Sequence, residues 1–353
     1  MKKHGGMIYD KNSKILDFSA NIHPEGVPAE VKKAMMDALE ASSYYPDPEC
    51  RDLRYSIAEK EHVKMEHVIC GNGAAELIFH LAFTVGAKTL LLPVPSFLEY
   101  EDAFLAAAKG NLMIEKYQID PVSFLIKEDL LDKMDASVDV LVLCQPNNPT
   151  GQLVEMNVMQ RILDRAKEQN IILLVDECFL DFVIDGKRYS VIPRYQEYPN
   201  VFILKSFTKM YGIPGIRLGY GICSDTRLLK QLRTSLQSWN VSHVAQAAGI
   251  AACGMKEYEE WTADRIAQNR EWLIKRLRLL GFQVWEGSAN YVFFRVKGCT
   301  DLCEICMRQE ICIRSCSNYR GLEDDYYRIA VKTEEENRRL IRTLTEWKEG
   351  KER

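Results

Sequence analysis

A lysine lies among hydroxyls and an arginine in Ser206-Phe207-Thr208-Lys209-Met210-Tyr211-Gly212-Ile213-Pro214-Gly215-Ile216-Arg217, which follows the apolar run Val201 to Leu204 after Lys205. The hydroxyls stand three residues and one residue before Lys209, and the arginine eight after it. A primary amine condenses with an aldehyde, and hydroxyls beside a guanidinium suit a phosphate dianion. This spacing therefore fits a phosphate-bearing aldehyde cofactor, with Lys209 on the aldehyde carbon and Ser206, Thr208 and Arg217 on the phosphate. The plainer alternative is a surface loop carrying a solvated Lys and Arg.

Other stretches have the composition to complete such a site. Gly71-Asn72-Gly73-Ala74-Ala75-Glu76 follows an apolar run and opens a helical one, so its backbone amides are placed to cradle phosphate. Pro146-Asn147-Asn148-Pro149-Thr150-Gly151 is a turn with an unusual density of Asn and Pro. Asp176-Glu177 ends another apolar run, where a carboxylate could pair with a protonated pyridine nitrogen or, more simply, cap a helix. Phe97, after Pro93-Val94-Pro95-Ser96, could lie on a flat ring or pack in a core.

These residues need a scaffold that brings them together. Short runs rich in Val, Ile and Leu recur at His67–Cys70, Lys88–Leu92, Asn111–Lys116, Val138–Leu143, Ile171–Val175, Val201–Lys205 and Leu218–Ile222. Most are apolar throughout, as in strands buried on both faces. Helical patterns lie between them at Ala74–Thr84, Glu99–Ala108 and Met156–Gln169. This alternation predicts a large α/β domain whose mostly parallel sheet has helices on both faces. Ligands in such sheets bind beyond the carboxyl ends of the strands, where the candidate residues fall. Two helical stretches follow, Thr226–Trp239 and Val244–Arg278. Strand-like segments at Gln283–Trp285, Tyr291–Arg295, Cys312–Ser315 and Tyr326–Ala330, with a helix at Asp301–Gln309, then predict a small α+β lobe. Pro and Gly punctuation makes the first residues an irregular arm expected to pack on that lobe.

Composition narrows the function classes. A chain of 353 residues with formal net charge -4 and no basic block gives no support to a nucleic-acid or membrane-surface partner. The N-terminal residues have no apolar segment of signal-peptide type, and no apolar run approaches the ~20 residues of a membrane helix. Eleven cysteines in a chain of this length and pattern fit a reducing cytoplasmic setting. Cys299, Cys303, Cys306, Cys312 and Cys316 form a cluster with one C-x-x-C spacing, but no glycine knuckles lie between the pairs. They are read as packed thiols rather than metal ligands. The run Thr333 to Arg339 reads as a solvated helix face.

Taken together, Gly-Asn-Gly-Ala, Pro-Asn-Asn-Pro-Thr-Gly, Asp-Glu and Ser-Phe-Thr-Lys with Arg eight later resemble fold-type I, pyridoxal 5'-phosphate (PLP)-dependent aminotransferases of class I/II. The resemblance spans nearly the whole chain. It implies an arm (1–28), a large cofactor domain with a seven-stranded, three-layer αβα arrangement (29–250) and a small C-terminal domain (251–353). It implies Lys209 as the cofactor-bound lysine, Asp176 on the pyridine nitrogen, Asn148 on the ring oxygen and Phe97 on the ring face. Gly73, Ala74, Ala75, Ser206, Thr208 and Arg217 would form the phosphate site. Tyr45, in Tyr-Pro-Asp-Pro, resembles a tyrosine that reaches the neighbouring subunit's cofactor, which implies a homodimer with shared active sites.

Within the family the chain is similar to the branch holding histidinol-phosphate aminotransferase and the threonine-phosphate decarboxylase of cobalamin synthesis. His4-Gly5-Gly6, Asp17-Phe18-Ser19-Ala20-Asn21 and Ile313 to Leu322 lean toward the decarboxylase. So does Phe179, which stands where the aminotransferases usually carry a tyrosine. Arg328 resembles the family's carboxylate-binding arginine, and Arg314 with His4, Asn21 and Asn318 could hold a substrate phosphate. Both readings expect a phosphorylated amino-acid-like substrate. They differ in the bond held perpendicular to the cofactor ring: Cα–H for transamination, or the bond to the carboxylate for decarboxylation. A third reading, a regulator that senses the cofactor, requires a DNA-binding module, and the arm has no helix-turn-helix pattern.

Overall fold

The computed structural model describes residues 4–6, 8 and 14–351. Strand β1 (Leu16–Asp17) is followed by helices α1 (Ala29–Ala38) and α2 (Arg51–Glu61). The chain then alternates through β2 (Val68–Gly71), α3 (Ala74–Val85), β3 (Thr89–Val94), α4 (Leu98–Ala107) and β4 (Met113–Gln118). Next come β5 (Val140–Cys144), α5 (Met156–Glu168), β6 (Ile172–Asp176), β7 (Val201–Ser206) and the single-turn α6 (Phe207–Met210). After β8 (Gly219–Ile222) the chain turns helical, with α7 (Thr226–Ser235), α8 (His243–Cys253) and α9 (Lys256–Leu279). The remaining elements are β9 (Gln283–Trp285), β10 (Tyr291–Arg295), α10 (Leu302–Met307), β11 (Ile311–Cys312), β12 (Arg314–Ser315), β13 (Tyr326–Ala330) and α11 (Glu334–Lys351).

Seven strands form the central sheet in the order β2-β8-β7-β6-β5-β3-β4. The β3–β4, β3–β5, β5–β6 and β6–β7 pairs are parallel, whereas β8 runs antiparallel to both its neighbours. The inner strands are largely apolar because each face meets helices, whereas edge strand β4, with Glu115, Lys116 and Gln118, is largely exposed. Leu141, Leu143, Leu173 and Val175 point into one buried layer with Met159 and Ile162 of α5. Val140, Val142, Leu174 and Phe202 point into the other, with Leu77 and Leu81 of α3 and Phe104 of α4. Alternating residues thus serve two cores, which removes the polar half of the usual strand pattern.

All the expected strands except Cys312–Ser315 form, each shifted by no more than two residues. Two later expectations change. The single helix read over 244–278 is two, α8 and α9, because the chain leaves the helix at Gly254. Cys312–Ser315 is not one strand. Ile311–Cys312 pairs in parallel with Leu16–Asp17 of β1, and Arg314–Ser315 joins the four-stranded sheet β12-β13-β10-β9. The segment changes partners at Ile313.

Among the described residues no helix is long and apolar enough to cross a membrane. Cys299, Cys306 and Cys316 are buried in the apolar core around Tyr327, Ile311 and Leu302.

Candidate active site

The lysine turn is built by the end of β7. Ser206 caps α6, its hydroxyl accepting from the Thr208 N–H at 3.3 Å and meeting the Thr208 hydroxyl at 2.7 Å. Lys209 Nζ donates to Thr208 Oγ1 at 3.2 Å and lies 5.6 Å from the centre of the Phe179 ring. Burial pushes the amine below its ordinary range. Cys178 and Asp176 pull against that shift, while Arg217 and Arg328 add to it. The arm touches this turn directly, for the His23 N–H donates to the Lys209 carbonyl at 3.0 Å.

Arg217 is held at the mouth by left-handed backbone (φ 59°) and by donation from Nη1 to the Pro214 carbonyl at 3.2 Å. Its guanidinium packs against Gly73, where a Cβ would come within 2.4 Å of Nη2. Gly73 itself has φ 88° and caps α3 without a side-chain bond, so the amides of Ala74 and Ala75 open the helix beside Arg217. Gly219 of β8 lets this turn approach, since a Cβ there would lie 2.5 Å from the Ala74 nitrogen. The glycines are a packing requirement of the cradle.

Asp176 ends β6 in a buried position. Its Oδ2 accepts from the Tyr100 hydroxyl at 2.6 Å and its Oδ1 from the Cys178 N–H at 2.9 Å. Phe97, partly buried at the start of α4, meets Tyr100 edge-on at 5.6 Å and His4 at 6.3 Å. Tyr100 carried no signal as a motif; it lies in the first turn of α4, three residues after Phe97, the residue that precedes that helix.

Asn147 anchors the next turn. Its Nδ2 donates to the Pro95 carbonyl and to Thr150 Oγ1, and its carbonyl accepts from Tyr291. Asn148 then presents its Oδ1 to Arg328 Nη1 at 2.5 Å and to the Tyr319 hydroxyl at 3.2 Å. Arg328 also donates from Nη2 to the Ser19 carbonyl at 2.9 Å and lies over the Tyr291 ring. Its buried Nε has no hydrogen-bond partner among the described residues, and neither has the buried Oδ1 of Asn21. Unpaired polar atoms are rare in interiors, and these two have bonding capacity left for water or a ligand. Arg314 donates to Asn318 at 2.8 Å and lies over the Tyr319 ring.

The arm is seated here by its glycines. A Cβ on Gly5 would strike the Ser19 carbonyl at 2.0 Å, and the Gly6 N–H donates to Ser19 Oγ. His4 is thereby brought beside Phe97, where its Nε2 meets Glu99 Oε1 at 3.0 Å. Tyr45 lies elsewhere. It is 76% exposed and stacks on exposed Trp239 at 4.4 Å.

Lysine, acid, amide, glycine turn and paired arginines thus come from many separate segments between 4 and 328. A profile described as "Aminotransferase class I and II" matches residues 13–344. The chain is 34% identical to the threonine-phosphate decarboxylase of Salmonella typhimurium over 97% of its own length and 95% of that protein's. It is 29% identical to the histidinol-phosphate aminotransferase of Methanothermobacter thermautotrophicus, over 95% and 90% of the two chains. The crystal structure of the histidinol-phosphate aminotransferase from Clostridium acetobutylicum matches with TM-score 0.89 at 28% identity, covering 95% of this chain and all of that one. With a family match of that length laid over this arrangement of side chains, the chain belongs to the class I and II aminotransferases.

Proposed function

We propose that this chain is a PLP-dependent decarboxylase of L-threonine O-3-phosphate, giving (R)-1-aminopropan-2-yl phosphate and carbon dioxide in cobalamin synthesis. The observation that carries it is the pair Arg314 and Arg328. Both are buried and face each other on adjacent strands, and neither is ion-paired with a described carboxylate. Two such cations suit a substrate with a carboxylate at one end and a phosphate at the other. The extended similarity to a threonine-phosphate decarboxylase supports the same reading.

The residues present fit the cofactor. Gly73 leaves open the space that its Cβ would take from Arg217, and two bonded hydroxyls, Ser206 and Thr208, stand at the other side of the turn. With the amides of Ala74 and Ala75 these groups would hold the phosphate. Lys209 would carry the aldehyde carbon, Asp176 would meet the pyridine nitrogen, Asn148 the ring oxygen and Phe97 the ring face. When bound, the cofactor supplies an electron sink for charge left at the substrate α-carbon.

The chain's own residues supply the rest. The depressed affinity of Lys209 Nζ for a proton keeps more of the amine neutral, the form that condenses and that shuttles protons. Tyr100 and the Cys178 N–H fix the direction of the Asp176 carboxylate. Arg328 and Arg314 would grip the two anionic ends and turn the carboxylate-bearing bond perpendicular to the ring. Asn21, with its unpaired Oδ1, lies in the arm that Arg328 binds through Ser19. Lys209 Nζ, once it carries the proton, or water would then return a proton to the α-carbon. The proposed active unit is a homodimer in which exposed Tyr45 reaches the partner's phosphate site.

The structural match to a histidinol-phosphate aminotransferase favours a second reading, in which Cα–H is turned perpendicular and Lys209 Nζ takes that proton. One experiment decides. Purified chain loaded with PLP is given threonine phosphate, or histidinol phosphate with 2-oxoglutarate. Carbon dioxide release from threonine phosphate without 2-oxoglutarate is expected. Consumption of 2-oxoglutarate with histidinol phosphate, and no carbon dioxide from threonine phosphate, overturns the proposal in favour of the second reading.

A further inference from the structure

Three consecutive residues of the loop between β12 and β13 are each tied to a different part of the site. Asn318 accepts from Arg314, and the Tyr319 hydroxyl lies 3.2 Å from Asn148 Oδ1. Arg320 makes a two-pronged ion pair with buried Glu101 of α4, with Nε donating to Oε2 at 2.5 Å. The fork pins the loop from one side and Arg314 from the other, so Tyr319 has little freedom to move. Its hydroxyl also lies 3.4 Å from Arg328 Nη1.

A guanidinium only donates, so the Asn148 atom facing Arg328 is the amide oxygen, and the NH2 is committed to the other side. An amide held by one donor can rock about its χ2 bond; a second donor removes that freedom. Phe179 brings no hydroxyl to this corner of the site. Resting on the cofactor reading above, we infer that Tyr319 is a positioning residue. Its hydroxyl holds the Asn148 amide with the NH2 turned to the cofactor's ring oxygen, and so sets the proton affinity of the Lys209 nitrogen joined to that cofactor.

A donor on the ring oxygen competes with the lysine-derived nitrogen's proton for the same electron density. Weakening the donor lets that nitrogen hold its proton to higher pH. Other groups that bear on the nitrogen are Cys178, Asp176, Arg217 and Arg328, and those that bear on Tyr319 are Arg328, Cys316, Arg314 and Cys144. Tyr319→Phe leaves all of them in place.

The test is a visible-absorbance pH titration, from about pH 5 to about pH 10, of the PLP-loaded parent, Tyr319→Phe, Asn148→Ala and the double variant. The midpoint of Tyr319→Phe is expected to rise by roughly half a unit or more, with an unchanged thermal melt. In the Asn148→Ala background the same change is expected to add nothing. A normal absorption band with an unshifted midpoint overturns the inference. So does a shift of equal size with and without Asn148, which would place the effect on Arg328. A parent chain with no visible band defeats the cofactor reading itself, and the inference with it.

Discussion

Arg314 of β12 and Arg328 of β13 stand directly opposite each other in an antiparallel pair, and both side chains are buried. Residues so placed share one face of the sheet, and like charges there repel. Their described partners are neutral: Asn318 for one, and Asn148, Tyr319 and the Ser19 carbonyl for the other. A fold does not gain from this pairing, but a dianionic ligand of the proposed kind would.

Removing one charge should therefore weaken binding without weakening the fold. For Arg314→Gln the expected result is a rise in KM for threonine phosphate of roughly 10- to 100-fold, from about 1.5–3 kcal/mol per lost charged hydrogen bond. The melting temperature should hold or rise as the repulsion is relieved. Steady-state carbon dioxide release and a thermal melt measure the two effects. A sharp loss of stability with KM unchanged would show the guanidinium to be structural.

Gly73→Ala acts on the proposed cofactor cradle. Its Cβ would fall 2.4 Å from Arg217 Nη2, at a φ of 88° that disfavours any side chain. The guanidinium must give way, because it is the far end of an exposed side chain. PLP affinity should fall about 10-fold or more, read by absorbance during dilution, while the sheet and its melt are largely retained. Unaltered affinity would remove Arg217 from the phosphate site.

If the active sites are shared, defects in different subunits should complement. Tyr45→Phe is expected to lower cofactor affinity, and Lys209→Ala to abolish turnover. In a mixture of the two, one mixed-dimer site is built from an intact Lys209 and an intact partner Tyr45. Activity above that of either variant alone, with a dimer mass by sedimentation, is the expected outcome. A monomer in sedimentation refutes the shared site.

Glu177, beside Asp176, is fully buried, and burial pushes its carboxyl from 4.5 up to about 7. The folded form then holds a proton that the unfolded chain releases. Its contribution to stability is present below pH 4.5 and is lost as pH rises through about 7. The loss is on the order of 3 kcal/mol, taking ~1.4 kcal/mol for each unit. Glu177→Gln cannot titrate, although it replaces one acceptor facing the Ser190 hydroxyl and the Val191 N–H. The difference in melting temperature between parent and variant should thus shift in favour of the variant from pH 4.5 to 7. A difference constant over that window would place the Glu177 carboxyl in the ordinary range.

Local chemistry was legible in the chain. Strands apolar on both faces follow from two helical layers, and the run from Ser206 to Arg217 states its amine, hydroxyls and guanidinium in order. The glycine turn and the Asp-Glu pair could be read because each is set by the strand before it. What the order of residues did not disclose was which side chains meet across long separations. Tyr100 with Asp176, Tyr319 with Asn148 and Arg320 with Glu101 are joined across 76, 171 and 219 positions. Tyr100 and Glu101 show no pattern of their own, since a tyrosine or glutamate on a helix looks the same whether its polar end is used or not. The break at Ile313 was equally hidden, because both halves are β-formers and only their partners differ. Short-range rules act through backbone geometry and burial and repeat wherever the pattern does; pairing between distant segments depends on how the sheets and helices pack, and packing alone decided it.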